Sequence, residues 1–264
     1  MYYYTKEWYL RSRCTGLHMY LRHCSEKEAK SSEYYEKLFA IYADDVRFEC
    51  EQIKNTSYDV FAEDREDEDE DALTNEFVMW KVSNDPAEAE FYAASRLAER
   101  IERLRLILPE DIVSRIPDIR IFALNYADDA TAEMIAKYAE ECRRFAAETD
   151  FRFEEEYSAR TEPIPDEIWR EYGFAGGRIN KIVRKGRDMT VYIDNSGTPS
   201  DVTAVCLEDT DVQRLDDGLD GALWLHNELY LVDGEYEVCA LCRNGREFPE
   251  FILHTRNISF EFDR

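Results

Sequence analysis

The side chains best suited to chemistry are four histidines, His18, His23, His226 and His254, and seven cysteines. Cys14 and His18 stand four apart and would share a face of a helix, with His23 and Cys24 close behind. That is the arrangement most like a metal site. Zinc, however, takes four ligands at characteristic spacings. Adjacent His23 and Cys24, and nine residues from Cys14 to His23, fit none of them. These side chains therefore read as surface or half-buried groups, and no metal is expected. Cys239-Ala-Leu-Cys242 is the one C-x-x-C, without a second pair to complete a site. It falls in an apolar stretch that reads as a strand, where residues three apart point to opposite faces. Free, scattered thiols suit a reducing cytosol. His226, in Trp224-Leu-His-Asn-Glu228, is placed to act as a base beside Glu228; its alternating surroundings put it on a strand next to a core tryptophan. The chain has no G-x-S-x-G nucleophile elbow and no Walker loop. Gly173-Phe-Ala-Gly-Gly177 lacks dinucleotide-loop spacing and reads as a joint. Carboxylates are so numerous that any two can be paired on paper, so the sequence names no catalytic residue and no cofactor and leans away from an enzyme.

The charge is more telling. The chain has 264 residues, with 33 Lys and Arg against 58 Asp and Glu, a net charge of −25 and a pI near 4.5. Phosphate backbones demand clustered cations, so direct nucleic-acid binding is not expected. No apolar run reaches the length of a membrane span, and the first residues lack the apolar core of a signal peptide. A cytoplasmic protein follows. Residues 63–71 hold eight acids in nine positions, a self-repelling block that reads as a mobile loop or a solvated helix end. Within it, Glu66, Asp67, Glu68, Asp69, Glu70 and Asp71 are the candidate binding surface for a basic protein. One stretch has the opposite sign: Arg178, Lys181, Arg184, Lys185 and Arg187 come without an intervening acid. Arg184, Lys185 and Arg187 are its candidate anion-binding residues, with a solvated strand as the commoner reading.

The elements that position these residues follow from periodicity. Ser25-Glu-Lys-Glu28 has capping-box spacing, and Tyr35, Leu38, Tyr42 and Val46 repeat as one helical stripe. Asp85, Pro86 and Glu88 open a second helix striped by Leu97, Ile101, Leu104 and Leu108 and closed by Pro109. A third starts near Asp129 or Thr131, with Met134, Tyr138, Cys142 and Phe145 on one face. The segment 118–124 between them reads equally as a buried strand or a tight helical joint. After about residue 160 the period becomes two. Met189, Val191 and Ile193 share one side of a strand, and Val202, Ala204 and Cys206 share one side of another. Gly186, Asn195-Ser-Gly197, Asp233-Gly234 and Asn244-Gly245 mark hairpin turns, and Pro249 suggests an edge strand or bulge. The fold class is therefore α+β: a mainly helical part over 1–160, a linker over 161–177, and an antiparallel β-rich domain over 178–264. The aromatic cluster Tyr2, Tyr3, Tyr4, Trp8 and Tyr9 reads as packing rather than as a binding face.

Three pieces in order, Tyr3 to Tyr9, Asp118 to Leu124, and Trp224-Leu-His-Asn-Glu-Leu-Tyr230 through to Phe260, resemble an uncharacterised bacterial family, domain of unknown function 4085. The resemblance implies a bacterial cytoplasmic protein and assigns no activity. Members often carry a His-Asp pair where this chain has Phe174-Ala-Gly-Gly177. The expected function is a non-catalytic interaction protein, such as an inhibitor or immunity-type partner of a basic protein. The alternatives are a nucleic-acid mimic, and an enzyme or small-ligand binder with its site where the helical and β parts meet.

Overall fold

A computed structural model describes residues 2–63, 65, 70–161, 163–196, 198 and 200–262. Its helices are α1 (Lys6–Ser12), α2 (Ser32–Asn55), α3 (Tyr58–Ala62), α4 (Glu70–Val82), α5 (Ala89–Ile107), α6 (Glu110–Val113), α7 (Ile119–Ala123), α8 (Asp129–Arg160) and α9 (Asp166–Glu171). Two short strands, β1 (Arg22–His23) and β2 (Tyr126–Ala127), pair in parallel among them. The remaining strands are β3 (Arg178–Lys185), β4 (Asp188–Asp194), β5 (Val202–Glu208), β6 (Asp211–Leu215), β7 (Leu223–Val232), β8 (Glu235–Arg243), β9 (Glu250–Thr255) and β10 (Asn257–Phe262). The α+β class holds: helices in the N-terminal part, an eight-stranded antiparallel sheet in the C-terminal part. Packing divides the chain into two compact units, Gly16–Ala139 and the residues up to Thr15 together with those from Glu140 onward. The change in sequence texture near residue 160 and this division thus fall in different places. Among the described residues, no helix is long and apolar enough to cross a membrane.

In the helical unit, α2 buries Leu38, Ala43, Val46 and Cys50, and packs on α5 through Ala89 and Ala93, small side chains that allow close approach. The Ser25–Glu28 box forms reciprocally: the Ser25 amide donates to Glu28 Oε2 at 2.8 Å and the Glu28 amide to Ser25 Oγ at 3.3 Å. It closes the turn leading into a single 3-10 turn, Glu28–Lys30, and α2 starts afresh with Ser31, whose hydroxyl accepts from the Tyr34 amide. The ambiguous segment 118–124 is helical because the Asp118 carboxylate accepts from the Arg120 amide at 2.9 Å and pairs with its guanidinium at 2.7 Å. Helix α8 buries Thr131, Ile135, Ala139 and Cys142; Met134 and Tyr138 of the expected stripe lie on its half-buried flank.

The sheet runs β10-β5-β4-β3-β7-β8-β9-β6. β5 and β6 are separated by Asp209 and Thr210 alone, and β9 and β10 by Arg256 alone, yet each pair is split across the strand order. The sheet must therefore bend over on itself at one corner, which the chain turns twice. Asp209, at φ +54, stands at that corner and is held by Arg187 at 2.8 Å and Arg256 at 3.0 Å. The space enclosed is filled by Phe174, Trp224 and Phe251 in edge-on contact, with Ile179, Met189, Leu207 and Leu253 around them. Two sequence expectations need correction. Pro249 precedes β9, which is an inner strand between β8 and β6, so the proline costs no ladder bond and its carbonyl accepts from the Cys242 amide. In β5, Cys206 is only half-buried while Val202, Ala204, Val205 and Leu207 are buried. The irregular register between Glu261 and Phe262 of β10 interrupts the strict alternation there. The Asn195-Ser-Gly197 turn ends outside the described residues.

Gly177 joins this core to the helices before it. Its carbonyl accepts from the Trp224 amide at 2.8 Å, and an added Cβ would run into Asn195 Oδ1 and lie 2.9 Å from Ile193 Cγ2. Gly173, four residues earlier, has open space around it. Gly177→Ala is expected to lower stability by about 1–3 kcal/mol, and Gly173→Ala by well under about 1 kcal/mol, in urea unfolding. Equal effects would contradict the close approach.

Candidate functional site

Strand β7 carries the pair His226 and Glu228, and a bulge decides where they point. Trp224 pairs with Cys242 and His226 with Leu241, so the register slips between them. Trp224 and Leu229, of opposite parity, consequently share the same core, and His226, Glu228 and Tyr230 turn to the other face of the sheet. There the Glu228 carboxylate, 2% exposed, accepts from three consecutive amides: Tyr2 at 2.9 Å, Tyr3 at 3.0 Å and Tyr4 at 2.8 Å. The Tyr230 hydroxyl donates a fourth bond at 3.0 Å. The first residues thus form an anion nest, and the anion is the protein's own. The Tyr2 hydroxyl reaches Glu237 on β8, and the Tyr3 hydroxyl donates to Glu156 at 2.5 Å.

The rings complete the seat. His226 lies 4.2 Å from Tyr4 and 5.3 Å from Trp8, nearly parallel to the latter, and Tyr4 rests on Phe153 at 4.9 Å. Burial lowers the His226 pKa below its ordinary value, against the opposing charges of Glu228 and Asp150. Burial, helped by Asp150, Glu228 and Glu154, pushes the Tyr4 phenol up to about 12. Glu228, with its oxygens engaged by four donors, works here as an anchor for the chain rather than as an acid or base. The aromatic cluster packs as the sequence suggests.

A second arrangement lies in the helical unit. A cavity of about 920 Å³ opens among β1, the segment after α6 and the start of α8. His23 Nδ1 stands 3.1 Å from Asp129 Oδ1, and Lys30 pairs with Glu26 at 2.6 Å. The Asp128 carboxylate accepts from the Thr131 amide at 2.8 Å. Arg115 also lines the cavity and is exposed. With these carboxylates already engaged by neighbours, the guanidinium is the group best able to meet an anionic ligand.

The other sequence candidates are dispersed. Cys14 is fully buried in the sheet unit, and burial together with the Cys142 thiol pushes its pKa up to about 12. His18, His23 and Cys24 belong to the helical unit, where Cys24 packs with Ala29, Leu38 and Ile121. Cys239 and Cys242 are both buried on β8, and burial followed by the Glu250 charge raises the Cys242 thiol to about 12. These are poor nucleophiles. Of the basic run, Arg187 is committed to Asp209, Arg178 donates to the Gly221 carbonyl at 2.6 Å and Lys181 covers the Tyr192 ring, while Arg184 and Lys185 are exposed on β3. Glu66, Asp67, Glu68 and Asp69 lie outside the described residues; Glu70 and Asp71 begin α4. Sequence reasoning did not find the Glu228 anchor or Arg115. A carboxylate flanked by Asn227 and Leu229 on an alternating strand gives no sign of a bulge that reverses its side.

A family model described as "Protein of unknown function (DUF4085)" matches residues 67–245. No curated protein and no solved structure matches the chain.

Two outcomes follow from the anchor. Glu228→Ala leaves three amides without their acceptor, that of Tyr3 buried and those of Tyr2 and Tyr4 partly so, and is expected to cost roughly 3 kcal/mol, with faster proteolysis within residues 2–12. Unchanged stability would contradict the anchoring role. For His226, the unfolded imidazole titrates near 6.5 while the folded one resists protonation. The unfolded chain therefore binds more protons as pH falls below about 6.5, and stability declines in that direction. His226→Phe keeps the ring and removes the titration, so its stability should fall less than that of the wild type between about pH 7 and pH 5. Parallel curves would show that His226 is not the cause.

Proposed function

We propose that this chain, which belongs to the DUF4085 family of proteins of unknown function, is a non-catalytic interaction protein of the bacterial cytoplasm that binds a basic protein, in the manner of an inhibitor or immunity-type partner. The observation that carries the reading is the unneutralised carboxylate surplus. With 58 acids and 33 bases, local pairing cannot cancel the field. Many of the bases are already engaged with the protein's own acids: Arg187 and Arg256 with Asp209, Arg214 with Asp216 and Glu250, Arg96 with Glu49. A surface of one sign attracts an oppositely charged partner and speeds its approach, and salt weakens the attraction. The run at 63–71 concentrates seven of the net negative charges in nine positions.

A second reading, a small-ligand binder, is favoured by one observation, the cavity beside His23 and Asp129. Its volume falls within the range of small-molecule sites. On that reading Arg115 meets a carboxylate or phosphate. Inorganic phosphate and simple dicarboxylates should then raise the melting temperature of the wild type and leave Arg115→Glu unmoved; no shift in the wild type removes the reading.

For the first reading, the intact protein is immobilised and exposed to host lysate at about 50 mM salt, then washed at about 0.5 M, where exposed charges are screened. Basic proteins are expected to be retained and then released. A variant with Glu66, Asp67, Glu68, Asp69, Glu70 and Asp71 replaced by Gln and Asn should retain clearly less. Retention indifferent to salt and to these substitutions would overturn the proposal.

A further inference from the structure

A second, smaller recess in the helical unit lies on the other side of β1. His23 lines the cavity of about 920 Å³ and Arg22 lines one of about 160 Å³, as alternation along a strand requires. The charged side chains of the smaller recess are Arg22, Arg100 and Asp45, and Leu38, Ile41 and Leu124 supply its apolar wall. Its two cations are held by consecutive residues. The Arg100 guanidinium donates to Asn125 Oδ1, and the Arg22 guanidinium donates to the Tyr126 hydroxyl at 3.3 Å. Asn125 stands at φ +68, a left-handed conformation that Asn tolerates, and its carbonyl accepts from the Arg22 amide at 2.7 Å. Both partners of these guanidinium groups are neutral. Elsewhere in the same unit Arg47, Arg96, Arg105 and Arg120 each have a carboxylate at 2.6–3.0 Å. Acids outnumber bases 58 to 33, so carboxylates are not scarce, yet among the described residues Arg22, Arg100 and Asp45 form no ion pair. Arg100 is exposed as a residue, but burial around its charged group lowers its pKa; the Tyr42 phenol opposes the shift and the Arg103 charge adds to it. A guanidinium so placed gains from a carboxylate brought to it from outside.

The lining selects the ligand. Two guanidinium groups suit a carboxylate or a phosphate. Asp45 on the same wall repels a phosphate or a second carboxylate and attracts an ammonium group. The net charge of −25 opposes the approach of free anions and leaves a neutral zwitterion unaffected. The volume is below the roughly 300–1,000 Å³ of sites for drug-sized molecules, so the ligand is small. Ile41 is 48% exposed, apolar surface that a ligand side chain can cover. We infer that this recess binds a free apolar α-amino acid of about leucine's size. Its carboxylate meets Arg22 and Arg100, its ammonium group meets Asp45, and its side chain lies against Leu38, Ile41 and Leu124. This goes beyond the basic-partner reading and uses a cavity other than that of Arg115.

The test is calorimetry on the full chain with L-leucine and two analogues: 4-methylpentanoate, which lacks the ammonium group, and 3-methylbutylamine, which lacks the carboxylate. Asp45 and Arg100 are exposed, so Asp45→Asn and Arg100→Gln should match the wild type by circular dichroism. Leucine is expected to bind the wild type at least about tenfold more tightly than either analogue. Arg100→Gln should lose about tenfold for leucine, and Asp45→Asn should bind leucine no better than the wild type binds 4-methylpentanoate. Arg115→Glu, in the larger cavity, should bind leucine as the wild type does. Absence of leucine binding at about 10 mM, binding no tighter than that of either analogue, or binding that both recess variants leave unchanged overturns the site. Loss of leucine binding in Arg115→Glu alone places the amino acid in the larger cavity and overturns it equally.

Discussion

A surplus of 25 negative charges constrains every carboxylate this protein encloses. Burying an ionised carboxylate is costly unless donors surround it. Here the donors are neutral ones supplied by the backbone and by phenols. Glu228 takes three amides and the Tyr230 hydroxyl; Asp128 takes the Thr131 amide at the start of α8. Cations are placed at the surface and at corners. Arg187 and Arg256 hold Asp209 where the chain bends from β5 to β6 and from β9 to β10, and Arg214 bridges Asp216 and Glu250.

The same economy makes the sheet unit internally complete. Three amides on one carboxylate fasten the first residues to β7, and the rings of Tyr4, Trp8 and His226, the last two stacked, cover the join. A histidine beside a glutamate suggests acid–base chemistry in one dimension. In three dimensions the glutamate is held by backbone amides and burial disfavours protonation of the histidine, so the pair serves to close the sheet unit over the first residues.

Sequence patterning exposed much of this and stopped where local geometry took over. The period-two alternation of Met189, Val191 and Ile193 identified the core face of β4, and Asp233-Gly234 identified the β7–β8 turn, where both residues have positive φ. The pieces that carry the resemblance to the family lie near both ends and in the middle, and the family match over residues 67–245 takes in both Asp118–Leu124 and Trp224–Tyr230. The reversal of face between Trp224 and His226 was illegible, because a one-residue bulge leaves no compositional trace. The corner of the sheet was equally hidden: neither Asp209-Thr210 nor Arg256 is a recognisable turn signal, and the bend follows from which strands pair. In α8 the amphipathic pattern is visible in the sequence, but Ile135 and Ala139 occupy the core while the larger Met134 and Tyr138 lie half-buried beside them.

Two features adjoin in sequence: eight acids in nine positions over 63–71, and helix α4, which begins within that run at Glu70 and turns Val78, Met79 and Val82 to water. Charge acts at long range and sets encounter; apolar contact acts at short range and sets residence. The central claim is that this protein finds its partner by charge. Its most direct test is the affinity of the intact chain for the basic protein it retains, measured by calorimetry across a salt series. Affinity falling at least about tenfold between about 50 and 200 mM salt is the predicted result. Affinity that stays level across that range would contradict it.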